Sequence, residues 1–558
     1  MKSISQHNFA QIPRADIPRS SFNRSHGYKT TFNAGLLIPF FVDEALPADT
    51  FNLKHHIFAR LATPIVPIMD NMFMETFYFS VPIRLIWDNW QRFNGEQKNP
   101  GDSTDFLIPQ IVAPATGWQN GGLSDYFGIP TNVPNLSTSS LFHRAYNLIY
   151  NEWFRDQNLQ DSKIFPTDDG PDIYAAGDGN NASYGVWRRG KRHDYFTSCL
   201  PWPQKGPGVE LSLGSAAPVL GNGKALGLSD LGGNFGLVHS PWIDLSGTQD
   251  AINPMARSAA AYNSNVGISK NADQIMDGLV TTTSGQVVGV TQTGESGLWA
   301  DLSQAESVTI NTLRQSFQIQ RLLERDARGG SRYVEMLRAH FGVVSPDMRM
   351  QRPEYLGGSS SRVIVNPVPQ TGGTGTNVDT PQGNLAAYGL VSNSGGGFTK
   401  SFTEHCIIIG LCNVRADLTY QHGLNRMFSR RTRYDFYLPV LSHLGEQAVL
   451  NKEIYAQGTA ADDVVFGYQE RWSEYRYKPS MITGKLRSSD PQSLDVWHLS
   501  QEFSAVPALN ASFIEDNPPI ERCIAVTDEP HFIMDVYFDL KCARPMPVYS
   551  VPGLIDHF

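Results

Sequence analysis

Charged side chains are scarce in this chain. Asp, Glu, Lys and Arg make up 18% of its 558 residues, whereas about 25% is usual for soluble domains. Aromatic residues reach 11%. Because the cores of protein interfaces are depleted in Lys and Glu and enriched in aromatics, this composition favours a surface that faces other subunits. A large, loop-rich monomer is the alternative that composition leaves open.

Cysteines are few and follow no pairing pattern. Their odd number and the absence of a CxxC motif argue against a disulfide framework or a zinc ribbon. Two of them, Cys406 and Cys412, are six residues apart, so a strand would place both on one face as small buried hydrophobic residues. Reduced thiols fit a protein that assembles in a cytoplasm. The five are Cys199, Cys406, Cys412, Cys523 and Cys542.

Long apolar runs are also missing. No apolar stretch approaches about 18 residues, the length that a membrane helix needs, and residues 1–30 are polar. We therefore expect a soluble protein without a signal peptide. The net charge of −9 argues against nucleic-acid binding over the whole surface, although it leaves room for a local basic face.

Catalytic motifs are absent as well. The sequence contains no HExxH, GxSxG or GxxxxGK[ST], the motifs that carry metal, serine and phosphate chemistry. His405 precedes Cys406, but neighbours on a strand point to opposite faces and cannot act together as base and nucleophile. His55 and His56 fit a solvent-facing or interface pair. We expect a protein that is not an enzyme and uses no cofactor.

Separated strand patterns predict the fold. Alternating apolar residues predict strands over 72–81 and 532–540, and strand-like residues fill 401–420. Few clear strands with long connections suit a mainly β fold, an eight-stranded antiparallel β-sandwich of the jelly-roll type with very long loop and helix insertions. Helical spacing predicts a short helix after Pro82 and others over about 141–158 (with Trp153 buried), 304–328 and 331–340.

The first 30 residues have the pattern of a basic arm. Arg14, Arg19, Arg24 and Lys29 recur every five residues, a spacing that keeps to no face of a helix or strand. Prolines interrupt any helix there. Such an arm suits contact with phosphates or neighbouring subunits, and a solvated, disordered terminus is the alternative.

Residues 205–303 have the composition of a Gly-rich surface insertion. Between 205 and 300 there are 16 glycines and 11 charged side chains in 96 residues, without a lasting hydrophobic period. A packed element needs such a period, so we expect an insertion into a jelly-roll core formed by residues 31–204 and 304–558. Loops on a rigid scaffold commonly carry recognition; a passive decorative loop is the alternative.

An acidic segment contains Asp168, Asp169 and Asp172. Clustered carboxylates suit a hard cation such as calcium. However, the order of the residues lacks the EF-hand spacing and its terminal Glu. A turn-rich surface loop is therefore the preferred interpretation, and a calcium site is the weaker one.

Three segments combine basic and aromatic residues, and we call them the first, second and third basic groups: residues 187–196, 415–437 and 471–478. Single-stranded nucleic acid is usually held by cations along its phosphates and by rings that stack on its bases. Arginine also forms ion pairs and carbonyl hydrogen bonds between subunits or within a chain, and these alternatives stay open. The candidates for nucleic-acid contact are Arg188, Arg189, Arg192, Arg426, Arg430, Arg431, Arg433, Tyr434, Arg471, Trp472 and Arg476.

Several motifs also resemble one family. They are EHCIIIGLC at 404–412, VRADLTYQHGLNRM at 414–427, RPEYLGG at 352–358, FGYQER at 466–471 and YSVPGLIDHF at 549–558. In these the chain is similar to the major capsid proteins of gokushoviruses, small icosahedral single-stranded-DNA bacteriophages of the microvirus group (Microviridae). The resemblance covers both ends and most of the middle, and it is weakest over about 205–303.

The resemblance implies a structural role in a virion. It implies the viral form of the jelly roll and a T=1 icosahedral capsid of 60 copies around a circular single-stranded DNA genome, assembled in the host bacterial cytoplasm. The 205–303 insertion would project at the threefold axes and serve host attachment. Implied partners are other copies of the chain, an internal scaffolding protein, a small basic DNA-binding protein, a minor pilot protein and a host surface receptor.

Two other functions are alternatives to this one. A jelly roll can also host a carbohydrate-binding or carbohydrate-cleaving β-sandwich protein, which would form a small oligomer rather than particles. A DNA-binding regulator is disfavoured by the acidic balance and by the lack of a recognition-helix motif.

Overall fold

Antiparallel strands supply most of the regular structure. The computed structural model describes residues 18–174, 184–209, 310–344, 351–372 and 382–549, together with short strands between 219 and 300. In chain order the strands are β1 (Ser20–Asn23), β2 (His26–Phe32), β3 (Ile38–Ala45), β4 (Thr50–Leu61), β5 (Met72–Pro82), β6 (Gln110–Val112), β7 (Ser137–Ser139), β8 (Val219–Gly221), β9 (Leu228–Asp230), β10 (Gly233–Phe235), β11 (Val266–Lys270), β12 (Met276–Thr281), β13 (Gly289–Val290), β14 (Leu298–Ala300), β15 (Glu354–Arg362), β16 (Ile364–Pro369), β17 (Leu385–Ser401), β18 (Cys406–Ala416), β19 (Glu446–Leu450), β20 (Val465–Glu470) and β21 (Phe532–Arg544).

Most helices of the described residues are short. They are α1 (Trp90–Phe93), α2 (Leu123–Tyr126), α3 (Leu141–Ile149), α4 (Ile310–Gly329), α5 (Tyr333–Phe341), α6 (Asn451–Ile454) and α7 (Ala511–Ile514), with a π-helical turn at Tyr150–Phe154 after α3. Among these described helices, none has both the length and the apolar character needed to cross a membrane.

The chain divides into two compact units, residues 1–206 with 323–558 and residues 207–322. In the second unit β9 pairs with β10 and β13, β11 with β12, and β8 with β14, all antiparallel. This unit overlaps the Gly-rich stretch 205–303, whose role as a surface insertion stays a prediction.

The first unit contains a sandwich of two antiparallel sheets. One has six strands in the order β1–β21–β4–β17–β16, with β2 also paired to β21, and the other has four in the order β15–β5–β18–β3. Buried and exposed residues alternate along β4 and most of β21, as expected for strands with one face on a core. The predicted antiparallel β-sandwich is confirmed, with six plus four strands in the described sheets rather than eight.

Aromatic side chains from both sheets fill the space between them. The ring of Phe40 on β3 lies 5.6 Å from that of Phe538 on β21 and 5.5 Å from that of Tyr78 on β5. All three side chains are buried. Since a buried side chain of this kind contributes about 1.5–3 kcal/mol, this cluster is a main source of stability for the first unit.

The four-stranded sheet is buried on its second face too. Every residue of β18 is buried, the pattern of a strand that is covered on both sides. Ile407 and Ile409 pack in a cluster with Ile149 of α3, whereas Cys406 and Cys412 belong to the sandwich core. The prediction that these two cysteines are small buried residues on one face is therefore confirmed.

The N-terminal arm predicted over residues 1–30 is wrong from residue 20 onward. This part of the chain contains β1 and the larger part of β2, which both pair with β21. Arg24 forms an ion pair with Asp43 at 2.5 Å, and Lys29 pairs with Asp535 at 2.8 Å. The strands were not predicted because polar and basic residues occupy the exposed face of the sheet there. Residues 1–17 lie outside the described residues.

Two helix predictions need correction and two are confirmed. The short helix predicted after Pro82 is divided into a 3₁₀ turn at Ile83–Leu85 and α1 at Trp90–Phe93. The helix predicted over 141–158 ends in α form at Ile149, and after the π-helical turn the chain is extended at Arg155. Trp153 is partly exposed rather than buried, and its indole Nε1 donates a hydrogen bond to the Pro353 carbonyl. The helices predicted after 304 and 331 are α4, described from Ile310, and α5.

Four histidines are buried among the described residues of this unit, and His55 and His143 are two of them. The Nδ1 atom of His55 lies 2.7 Å from the Tyr78 hydroxyl, and the Nε2 atom of His143 lies 2.9 Å from the Ser124 hydroxyl. Burial lowers the pKa of both imidazoles to about 4, since desolvation disfavours the charged form. The expectation that His55 faces solvent or an interface is wrong, because the alternation of β4 turns it into the sandwich.

We expect stability to fall as the pH drops from about 6.5 toward 4. In this window the unfolded chain takes up protons on its histidines, whose ordinary pKa is about 6.5, while the buried imidazoles stay neutral. Between pH 7 and 4.5, the free energy of unfolding should therefore depend less steeply on pH in His55→Gln and His143→Gln, by up to about 1.4 kcal/mol per pH unit. Urea unfolding of the unassembled chain measures this slope.

The pH dependence of the free energy of unfolding can be compared even if the two variants differ in absolute stability. His443 is exposed, so His443→Gln is the matched control and should keep the wild-type slope. Wild-type slopes in both buried-site variants would contradict the prediction.

Candidate nucleic-acid and subunit interfaces

The first basic group is tied together by one carboxylate. Glu75 on β5 pairs closely with Arg189, at 2.8 Å with Arg415 and at 3.6 Å with Arg192. Burial alone would raise the pKa of the Glu75 carboxyl, but Arg189 and Arg415 hold it below its usual value. Arg192 also pairs with Asp417 at 2.9 Å. These arginines have intrachain partners.

Arg188 is also held within the chain, by hydrogen bonds to the Asp516 carbonyl and the Asn517 side chain. The guanidinium of Arg189 lies 4.6 Å from the centre of the Phe77 ring. These arginines were predicted to contact nucleic acid. In the structure they hold the segment around 188–192 against β5 and β18.

Two members of the second group are engaged in a similar way. Arg426 pairs with Glu453 at 2.9 Å, and Arg430 lies 3.6 Å from Glu474. The Arg430 guanidinium also lies 4.2 Å from the centre of the Tyr475 ring. Their charges are therefore largely compensated inside the chain.

In the third group, the tryptophan ring is not accessible for stacking. Trp472 is buried, and its Nε1 donates a hydrogen bond to the Leu441 carbonyl at 2.9 Å. Its prediction as a base-stacking residue is therefore wrong. Arg471 lies over the Trp472 ring and donates to the Tyr434 carbonyl, and Arg476 pairs with Glu470.

Among the described residues, the exposed candidates that have no ion pair lie in one loop. We call residues 427–444 the aromatic loop. Arg431, Arg433 and Tyr434 are exposed there. The backbone N–H groups of Arg431 and Thr432 donate to the Asp435 carboxylate at 2.9 and 2.6 Å, which fixes the local turn. These hydrogen bonds lower the pKa of Asp435 to about 2.

The aromatic loop also exposes large apolar side chains. Phe428 is 70% exposed and Val440 is 91% exposed. Clusters of exposed apolar side chains mark interaction surfaces rather than free surface. The other exposed apolar members are Met427, Tyr434, Phe436, Tyr437 and Leu444.

The acidic segment is not a calcium site in the described residues. Asp172 is buried and receives two hydrogen bonds from Arg144, at 2.9 and 2.5 Å, and one from Tyr184 at 2.6 Å. Asp169 accepts from the Trp87 indole, and the Asp168 carboxylate is largely exposed. Within the described part of the chain, no group of three acidic, His or Cys side chains could hold a metal. The weak prediction of calcium at Asp168, Asp169 and Asp172 is therefore wrong: a buried arginine already compensates the one buried carboxylate.

Sequence reasoning missed a cleft of about 480 Å³ beside the first basic group. Its walls include Trp153, Lys191 and Tyr355. The sequence carried no signal for it, because Trp153 fitted a helix core and the three residues are far apart along the chain.

Comparisons with known proteins give one consistent result. A profile described as the capsid protein (F protein) family matches residues 10–554. "Capsid protein VP1" of Bdellovibrio phage phiMH2K is 49% identical, over 99% of this chain and 98% of its own length. Proteins of the same name from Chlamydia phage 1 and Spiroplasma virus 4 are 44% and 37% identical, over 99% and 98% of this chain and 98% and 97% of their own lengths. These relatives are structural proteins, which agrees with the expectation of a protein that is not an enzyme. The chain therefore belongs to the capsid protein (F protein) family, and its resemblance to gokushovirus major capsid proteins is confirmed.

Proposed function

We propose that this chain builds a T=1 icosahedral shell of 60 copies around a circular single-stranded DNA genome. The observation that carries the proposal is the exposed aromatic loop on a chain of the capsid protein family. The scarcity of charge supports it, because a surface that is buried between subunits needs few charges. Assembly itself needs no reaction step, since burial of apolar surface drives association.

Charge in the aromatic loop should block assembly. In Phe428→Glu with Val440→Glu, each subunit contact would bury an unpaired carboxylate, at a cost of several kcal/mol. We expect the double variant to remain a small, folded species, because both side chains are exposed in the single chain. Sedimentation in a density gradient and electron microscopy measure the yield of particles.

The matched control is Phe428→Leu with Val440→Ile, which keeps the apolar surface and should assemble. Particles at wild-type yield from the Glu double variant would contradict the role of this loop. If the wild-type chain itself stayed a small oligomer, the carbohydrate-binding alternative would be favoured over a shell.

We place DNA contacts at the exposed basic residues of the same loop. Arg431 and Arg433 are exposed beside Tyr434, the combination of cation and ring that holds single strands without sequence preference. The paired arginines, such as Arg189 and Arg426, are poorer candidates because intrachain carboxylates already compensate them.

Replacing these cations should lower DNA content without preventing assembly. In Arg431→Ala with Arg433→Ala we expect empty or DNA-poor shells, seen as a lower ratio of absorbance at 260 to 280 nm in purified particles. Arg92→Ala, at another exposed site, serves as the control. Loss of empty shells as well would assign these arginines to subunit contacts instead.

We assign host attachment to the 205–303 insertion. In the second unit, Gly221 of β8 and Leu298 of β14 are register partners, so the ends of the segment between them are adjacent. Replacing residues 222–297 by a short Gly-containing turn keeps the β8–β14 pair. We expect particles to form while adsorption to host cells is lost. Failure of particles to form would contradict a purely external role.

The remaining partners follow from the same assignment. An internal scaffolding protein, a small basic DNA-binding protein, a minor pilot protein and a host receptor would act with the shell, which would be assembled in the host bacterial cytoplasm. The five cysteines are free and buried, which supports assembly in a reducing compartment.

A further inference from the structure

The cleft of about 480 Å³ beside the first basic group has the dimensions of a ligand site. Small-molecule sites generally occupy about 300–1,000 Å³ and combine apolar walls with a few convergent polar groups. This cleft lies between the π-helical turn after α3, the segment around 189–193 and the start of β15. Trp153, Tyr355 and His193 at its margin are partly or fully exposed, so it is open to solvent.

One wall of the cleft is aromatic. The Phe79 ring lies 5.4 Å from the Trp153 ring and 5.6 Å from the Tyr355 ring. The Trp153 and Tyr355 rings are 6.1 Å apart. Rings that are held by neighbouring rings are ordered before a ligand arrives, so a flat group can stack on them at low entropic cost.

The other wall is lined mainly by basic side chains, and the buried Asp516 carboxylate lies behind it, near Arg415 and Lys191. Arg155, Arg189, Lys191, Arg192 and Arg415 line the cleft, and Asp156 is its only lining carboxylate among the described residues. Glu75 compensates three of these arginines. The Arg155 Nε and Arg415 Nε atoms are buried without a hydrogen-bond partner in the described chain.

Among the described residues, Lys191 is the one of these cations without a direct ion pair or hydrogen bond, although the Asp516 and Asp194 carboxylates act on it from farther away. Its side chain is 7% exposed, and its ammonium lies 4.3 Å from the centre of the Phe513 ring. Within the described residues it has no ion-pair or hydrogen-bond partner. Burial lowers its pKa to about 8, which leaves the ammonium mostly charged at neutral pH. A buried cation of this kind is stabilised by an anion that enters the cleft.

We propose that this cleft binds one nucleotide of single-stranded DNA, with its base on Trp153 and Tyr355 and its phosphate beside Lys191. The inference rests on the proposed enclosure of single-stranded DNA and names a second contact site away from the aromatic loop. A nucleotide supplies both features that the walls require, a flat ring and an anion. A peptide carboxylate would satisfy Lys191 but would leave the aromatic wall without a stacking partner.

Binding of a labelled short oligothymidylate to the purified, unassembled full-length chain tests the inference. Lys191→Met keeps the apolar stem over Phe513 and removes one phosphate contact. We expect about tenfold weaker binding and a slope of log affinity against log salt that is smaller by about 0.7, the value for one contact to a single strand. Lys191→Arg should restore the slope.

The aromatic wall has a separate readout. Tyr355→Leu should weaken oligothymidylate binding about tenfold, since a stacked base contributes in this range, and should leave the salt slope unchanged. It should not affect an abasic oligomer of the same length. Lys98→Met and Tyr388→Leu, at exposed sites outside the cleft, are the matched controls.

The inference is overturned if Lys191→Met and Tyr355→Leu bind like the wild type, or if a neighbouring subunit's peptide fills the cleft in a map of the particle. If Lys191→Met does not fold, Tyr355→Leu and Trp153→Leu decide the matter, because both side chains are partly exposed. If the variants form DNA-filled particles and bind the oligonucleotide like the wild type, the cleft is not a DNA-binding site, while the proposed shell function stands. Wild-type chains that never form particles would overturn the proposed function, while the binding assay would still test the cleft.

Discussion

A cation that leaves water needs a compensating anion, and this constraint organises the long loops of the first unit. Glu75 stands on β5, inside the sandwich framework, and receives arginines from the segment around 189–192 and from β18. Removing one partner of a buried charge pair typically costs about 3–5 kcal/mol. The ion pairs therefore fix where a loop crosses the sheet, and Arg144 with Asp172 does the same for α3.

The sandwich explains why so much irregular chain can be ordered around it. The four-stranded sheet is covered on both faces, by the six-stranded sheet and by α3 with its neighbouring loops. A third buried cluster around Phe196, Phe466 and Phe513 holds part of the remaining chain. Other large apolar side chains lie at the surface, most clearly in the aromatic loop. A chain with few charges can leave such side chains exposed only where another surface covers them, which connects the composition to the proposed shell.

Hydrophobic periodicity predicted the elements whose burial pattern is set by residues close together in the sequence. The strands β5 and β21, the buried pair Cys406 and Cys412, and the helices α4 and α5 followed from periodicity within a few residues. The strands β1 and β2 were missed because their partner, β21, lies about 500 residues away and their outer face is polar. The burial of His55 and the role of Asp172 depended on Tyr78 and Arg144, which no spacing rule connects to them.

For the basic and aromatic segments, the sequence could not predict which cations have a partner within the chain. An arginine beside a tyrosine has the same pattern whether its charge is met by a carboxylate of the chain or by a phosphate from outside. What separates the two cases is the local count of charges, and that count depends on the fold. Glu75 serves three arginines, whereas Lys191 in the same cleft has no partner in the described residues. The residue that the sequence did not single out is thus the cation of the cleft that has no direct partner, with the Asp516 carboxylate acting on it only from a distance.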